Sequence, residues 1–123
     1  MVPVKVSGPF HSSLMEPALG GFMNAVNSYT FNKPIVPIIA NVTSQPMTGA
    51  ETIKEELVSQ VVHCIKWQQS IETMISKGVT TFFEIGPKDI LSGHIKRISP
   101  GARVFSVHSL STVSEISSWR KGL

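Results

Sequence analysis

The sequence predicts an α/β fold, a mainly parallel sheet with flanking helices. Two observations carry this. Short runs rich in β-branched residues alternate with segments of helical periodicity, in the order β-α-β-α-α-β-α-β-α. One of them, Val79–Ile85 (VTTFFEI), lacks the polar alternation of a half-exposed strand and reads as a strand buried on both faces.

Taken in order, Val2–Val6 alternates like a strand and enters the turn Ser7–Ser12 (SGPFHS). A helix is expected from about Met15 to Tyr29, with Pro17 in its first turn and Leu14, Ala18, Phe22 and Val26 on one face. Gly20 and Gly21 each weaken that helix by about 1 kcal/mol relative to alanine. Pro34–Val42 (PIVPIIANV) reads as the second strand. Thr48 followed by Glu51 fits a capping box for a helix that buries Ile53, Leu57 and Val61. The next helix starts near Trp67, turns Ile71, Met74 and Ile75 inward, and stops at Gly78. After Val79–Ile85 come a helix Asp89–Ile98, a strand Arg103–Val107 and a last helix from about Thr112 to Trp119.

Composition narrows the function classes. Hydrophobic residues make up 41% and charged residues 15%, which excludes a charge-rich disordered chain. The net charge is +3, and no run of Lys and Arg is longer than the pairs Lys96–Arg97 and Arg120–Lys121. A nucleic-acid groove calls for a denser basic stripe with stacking aromatics, so a small basic patch facing an acidic partner fits better. Cys64, the single cysteine, excludes an internal disulfide framework and points to a reducing, cytoplasmic setting. No apolar run approaches the roughly 18 residues of a membrane span, and the amino terminus lacks a signal-peptide pattern.

His11 sits in the turn between the first strand and the first helix. A strand holds such a position rigidly, and an imidazole titrates near neutral pH, so this is a setting for a general base. Taken alone, a loop histidine has the alternative of being solvated or capping.

The residues around it add more. Val6–Met15 (VSGPFHSSLM) resembles the histidine motif of the malonyl-CoA:acyl-carrier-protein transacylases. Three further blocks resemble that family in the same order: Phe31–Thr43 (FNKPIVPIIANVT), Leu57–Ile71 (LVSQVVHCIKWQQSI) and Phe82–Ile98 (FFEIGPKDILSGHIKRI). Together the match covers roughly residues 1–107.

The resemblance implies a set of roles. His11 is the general base for a serine nucleophile in two-step thioester exchange, with no bound cofactor. Gln60 presents its main-chain carbonyl to the second imidazole nitrogen, as a carboxylate does in a full triad, or else is an exposed polar residue at a helix end. Phe10 selects malonyl by occupying room that an α-methyl needs, or else is ordinary core packing. Lys96 and Arg97 face an acidic acyl carrier protein, or else form a solvated helix face. The substrates are malonyl-CoA and the phosphopantetheine arm of that carrier, in fatty acid biosynthesis, with neither nucleic acid nor membrane as partner.

The chain also departs from the pattern. Cys64 replaces a usual proline and follows His63; a buried structural thiol is expected there rather than a nucleophile. His94 and His108 match no family site, and the four histidines lack zinc-site spacing, so no metal is expected. The family's nucleophile lies in a G-H-S-x-G turn, and no G-x-S-x-G occurs here. None of Arg97, Arg103 and Arg120 stands where the family binds the malonyl carboxylate.

Residues 1–123 are therefore expected to be a carboxyl-terminal segment of the large, hydrolase-like subdomain. The nucleophile-bearing part and the small ferredoxin-like subdomain would lie in a missing amino-terminal half, and the segment alone is expected to be inactive. The alternatives are a piece of an acyltransferase domain from a polyketide or fatty-acid synthase, and a non-catalytic module that docks the carrier protein.

Overall fold

The computed structural model describes residues 8–109. The expected strand Val2–Val6 and the expected last helix lie outside the described residues. The chain divides into two compact units, Met1–Thr73 and Met74–Leu123.

In the first unit the expected single helix is split. Ser13–Ala18 forms a 3-10 helix, and α1 (Leu19–Asn27) follows it. Pro17 lies within the 3-10 segment and has no amide to donate to the Ser13 carbonyl, so the i→i−4 bond that would make Ser13 part of an α-helix is missing. At three residues per turn the expected i, i+4 stripe also drifts. Leu14 is accordingly 74% exposed, Ala18 and Phe22 are exposed, and only Val26 of the four is buried.

The run Pro34–Val42 is mostly not a strand. Only Ile38–Ile39 (β1) pairs, antiparallel, with Pro46–Met47 (β2). Pro34 and Pro37 have no N–H for a ladder, and Ile35 and Val36 between them are exposed. The β1–β2 turn is closed by Ala40 N–H donating to Gln45 O at 2.9 Å and Ser44 N–H to Ala40 O at 3.0 Å. Ser44 adopts φ 60°, and its buried hydroxyl donates to Lys66 O at 3.2 Å.

Helix α2 (Ala50–Val62) begins at Gly49, with no side-chain cap. Thr48 lies one residue too early for the expected capping box, and Thr52 Oγ1 instead donates to Gly49 O at 2.9 Å. Ile53, Leu57 and Val61 are half-buried rather than buried. Helix α3 (Trp67–Ser76) buries Ser70 and Ile71, with Met74 and Ile75 half-buried. It stops at Gly78 as expected. Gly78 takes φ 90°, its N–H donates to Ile75 O at 2.9 Å, and Val79 N–H donates to Met74 O at 3.1 Å, a Schellman cap.

The second unit is a β-α-β arrangement of β3 (Thr81–Ile85), α4 (Ile90–Ile98) and β4 (Arg103–Val107). β3 and β4 pair in parallel from Thr81↔Arg103 to Ile85↔Val107, with α4 in the crossover that a parallel pair needs. Glu84 ties strand to helix: its carboxylate accepts from Leu91 N–H at 3.0 Å and Ser92 N–H at 2.7 Å, donors that the N-cap Asp89 leaves without a side-chain partner. On the same face Phe82 is buried, as is Ile95 of α4, and the Ser92 and Ser106 hydroxyls bond at 2.9 Å. The opposite face carries Phe83, stacked on Phe105 at 5.3 Å between ring centroids, and Ile85, which is 83% exposed. β3 is therefore not buried on both faces among the described residues, because α4 covers only one. Among them, too, no helix is long and apolar enough to cross a membrane.

The fold is thus α/β. Its longer sheet is parallel, and the short β1–β2 pair is antiparallel.

Candidate active site

His11 occupies a turn braced by Ser12 Oγ, which donates to Pro9 O at 2.6 Å. Its φ is 59°, the left-handed region, which costs a non-glycine residue on the order of 1 kcal/mol unless its surroundings hold it there. Two bonds to the end of α2 supply that restraint. His11 N–H donates to Val61 O at 3.1 Å, and the ring nitrogen Nδ1 donates to Gln60 O at 2.5 Å.

Both acceptors belong to the last turn of α2, where carbonyls have no partner within the helix. Because a carbonyl only accepts, the bond places the proton of a neutral His11 ring on Nδ1 and leaves the Nε2 lone pair to take a proton. The orientation and tautomer of the ring are thus set by a helix end.

Gln60 is itself held. Asn41 Nδ2 donates to Gln60 Oε1 at 2.6 Å, and one turn earlier Glu56 Oε1 accepts from Val42 N–H at 2.8 Å. Lys66 N–H donates to Asn41 O at 2.8 Å.

Relatives extend this picture. The Bacillus subtilis (strain 168) malonyl CoA-acyl carrier protein transacylase is 38% identical over 112 residues, 91% of this chain but 35% of that protein. The crystal structure of an acyl-carrier-protein S-malonyltransferase from Bartonella henselae matches with a TM-score of 0.87 at 37% identity, over 96% of this chain and 37% of that one. Over nearly all of its length this chain is similar to malonyl-CoA:acyl-carrier-protein transacylases. It spans about a third of the length of the relatives it matches. A transacylase solved in complex with a type II polyketide-synthase acyl-carrier protein also matches, with a TM-score of 0.82 at 31% identity over 90% of this chain and 36% of that one. No family model matches the chain.

The other expected site residues are divided between the two units. Phe10 precedes His11 and is 60% exposed; its ring folds back over Gly8, where a Cβ would come within 3.0 Å of Phe10 Cε2. A cleft of about 240 Å³ between α1 and α2, lined by Met23, Val26 and Val58 among others, includes neither Phe10 nor His11. Lys96 and Arg97 lie exposed in the last turn of α4, on the second unit. Cys64 is exposed, not the buried thiol expected, because it falls in the bare loop between α2 and α3. His63 Nδ1 donates to its own helix at Ser59 O, 2.7 Å away, and His108 Nδ1 donates to Gly86 O at 2.8 Å.

Sequence reasoning did not single out Asn41 or Glu56. A signal was available: Glu56 and Gln60 are polar residues four apart on one helix face, and Asn41 is a polar residue directly after an apolar run.

Proposed function

We propose that this chain is the carboxyl-terminal, base-bearing segment of a transferase that moves malonyl from coenzyme A to the phosphopantetheine thiol of acyl carrier protein. The observation that carries the reading is the Nδ1 bond from His11 to Gln60 O, which joins two of the blocks that resemble the transacylases.

In the proposed mechanism Nε2 of His11 takes the proton of a serine supplied by a segment outside this chain. The serine oxygen attacks the malonyl thioester carbon, the C–S bond breaks, and the imidazolium returns the proton to the departing coenzyme A thiolate. The carrier thiol then gives its proton to Nε2 and attacks the malonyl ester, and the serine alkoxide recovers the proton as it leaves. Gln60 O holds Nδ1–H through both halves. The cationic clamp for the malonyl carboxylate and the oxyanion donors come from outside the chain in this reading, and so does most of the acyl pocket.

Phe10 borders the acyl site and disfavours an α-methyl. Lys96 and Arg97 attract the acidic carrier protein; the solved complex of a related transacylase with a carrier protein supports that partner class. The setting is the cytoplasm, with no bound cofactor.

The test is labelling with radioactive malonyl-CoA. The 123-residue chain alone is expected to stay unlabelled, and the chain joined to a transacylase segment bearing a G-x-S-x-G turn is expected to form a malonyl ester and pass it to the carrier. A stable malonyl adduct on the chain alone, an ester at Ser12 or a thioester at Cys64, would overturn the reading.

A further inference from the structure

We propose that Asn41 is a positioning residue for His11, acting through the side chain of Gln60. The inference rests on reading His11 as a general base, and it concerns what keeps that base in its competent tautomer.

The acceptor for His11 Nδ1 lies in the last turn of α2, the part of a helix most prone to fray. No helical hydrogen bond fixes the Gln60 carbonyl there. Gln60 is instead fixed by its side chain, which accepts from Asn41 at 2.6 Å. Glu56 stands one turn earlier on the same helix face and accepts from Val42 N–H at 2.8 Å. Adjacent residues of the β1–β2 turn thus grip adjacent turns of one helix.

The gripping end is rigid. Asn41 O accepts from Lys66 N–H at 2.8 Å, and the preceding Ala40 is 1% exposed with its N–H bonded to Gln45 O at 2.9 Å. Asn41 therefore transmits the position of the β1–β2 hairpin to the carbonyl beside the imidazole.

The chemical consequence follows from the imidazole. A neutral ring carries one proton, on Nδ1 or on Nε2. With Gln60 O in place the proton stays on Nδ1 and Nε2 is a base. If the last turn moves, the Nδ1–H form loses its acceptor and the proton redistributes to Nε2. That form donates and cannot take the proton of a nucleophile.

The experiment reads the tautomer rather than turnover, so it can fail separately from the assignment of His11 as the base. Long-range nitrogen–proton NMR of the imidazole rings is recorded on the 123-residue chain and three variants near pH 7. In Asn41→Asp the Gln60 amide turns over and donates to the new carboxylate, so the link persists. In Gln60→Glu the new carboxylate accepts from Asn41, and the link persists again. In the double variant two carboxylates face each other and the link is gone.

The wild type and both single variants are expected to show His11 as the Nδ1–H tautomer. The double variant is expected to lose that signal while His63, His94 and His108 keep theirs. An unchanged His11 tautomer in the double variant, or its loss in a folded single variant, would overturn the proposal. Asn41→Leu, which removes the link without adding charge, must reproduce the loss. Unfolding of both Asn41→Leu and the double variant would also overturn the proposal, since Asn41 would then hold the unit together rather than position His11.

Discussion

Gln60 holds the imidazole of His11 through an atom that no substitution at position 60 removes, its main-chain carbonyl oxygen, 2.5 Å from Nδ1. What the side chain contributes is the placement of that oxygen, through its bond to Asn41. A scan that truncates side chains would therefore understate the role of position 60, and the larger loss is expected at His11.

Glu84 gives the second unit a pH dependence. Its carboxyl is held below the ordinary value of 4.5, first by the Ser92 hydroxyl; burial is the next influence and opposes it, and the Ser92 and Leu91 amides and then His108 add to the lowering. A carboxyl whose folded pKa is depressed adds stability that is present above its ordinary pKa and fades as pH falls through the folded one. Wild type is thus expected to unfold at a higher temperature than Glu84→Gln at pH 7, and the gap is expected to close in acid below pH 4.5. Circular dichroism melts of both proteins across that range check it; a gap that is constant with pH would remove Glu84 as the cause.

Gly20 and Gly21 lie inside α1, and a Cβ at either meets no atom within 4 Å. Neither position needs glycine, so each carries the helix penalty without a packing reason. Gly20→Ala is expected to raise stability by about 0.5–1 kcal/mol, which for a chain of this size is a melting shift of about 2–6 °C. An unchanged or lower melting temperature would mean that α1 is already frayed at its start.

These two cases also show what was legible in the sequence. The α/β class, the β3-α4-β4 order and the Gly78 stop follow from apolar runs, helical spacing and glycine chemistry, all local signals. The failures were tertiary or depended on proline. Pro17 broke a helix whose apolar spacing looked continuous, and Pro34 and Pro37 left only a two-residue strand of a nine-residue run. The uncovered face of β3 was invisible because an apolar run states only that its residues avoid water, not what covers them. At the site, His11 and Gln60 were named through the family resemblance. Asn41 and Glu56 were not, since their value lies in which helix turn they reach.

Phe10 is expected to tune substrate choice. In the joined enzyme Phe10→Ser should shift relative kcat/KM toward methylmalonyl-CoA by about 10–200-fold, the range for one methyl group in a pocket. Both thioesters must compete in one assay, because a general loss lowers the two rates together. An unchanged ratio would leave Phe10 without a role in selectivity.

The most direct test of the central claim is the malonyl-transfer rate of the joined enzyme with His11 and with His11→Ala. Loss of a general base lowers a rate by about 10²–10⁴-fold, and a drop in that range is the expected result. A His11→Ala enzyme that transfers malonyl within a few-fold of the parent would contradict the account, because the bond from Nδ1 to Gln60 O would then orient a ring that takes no proton.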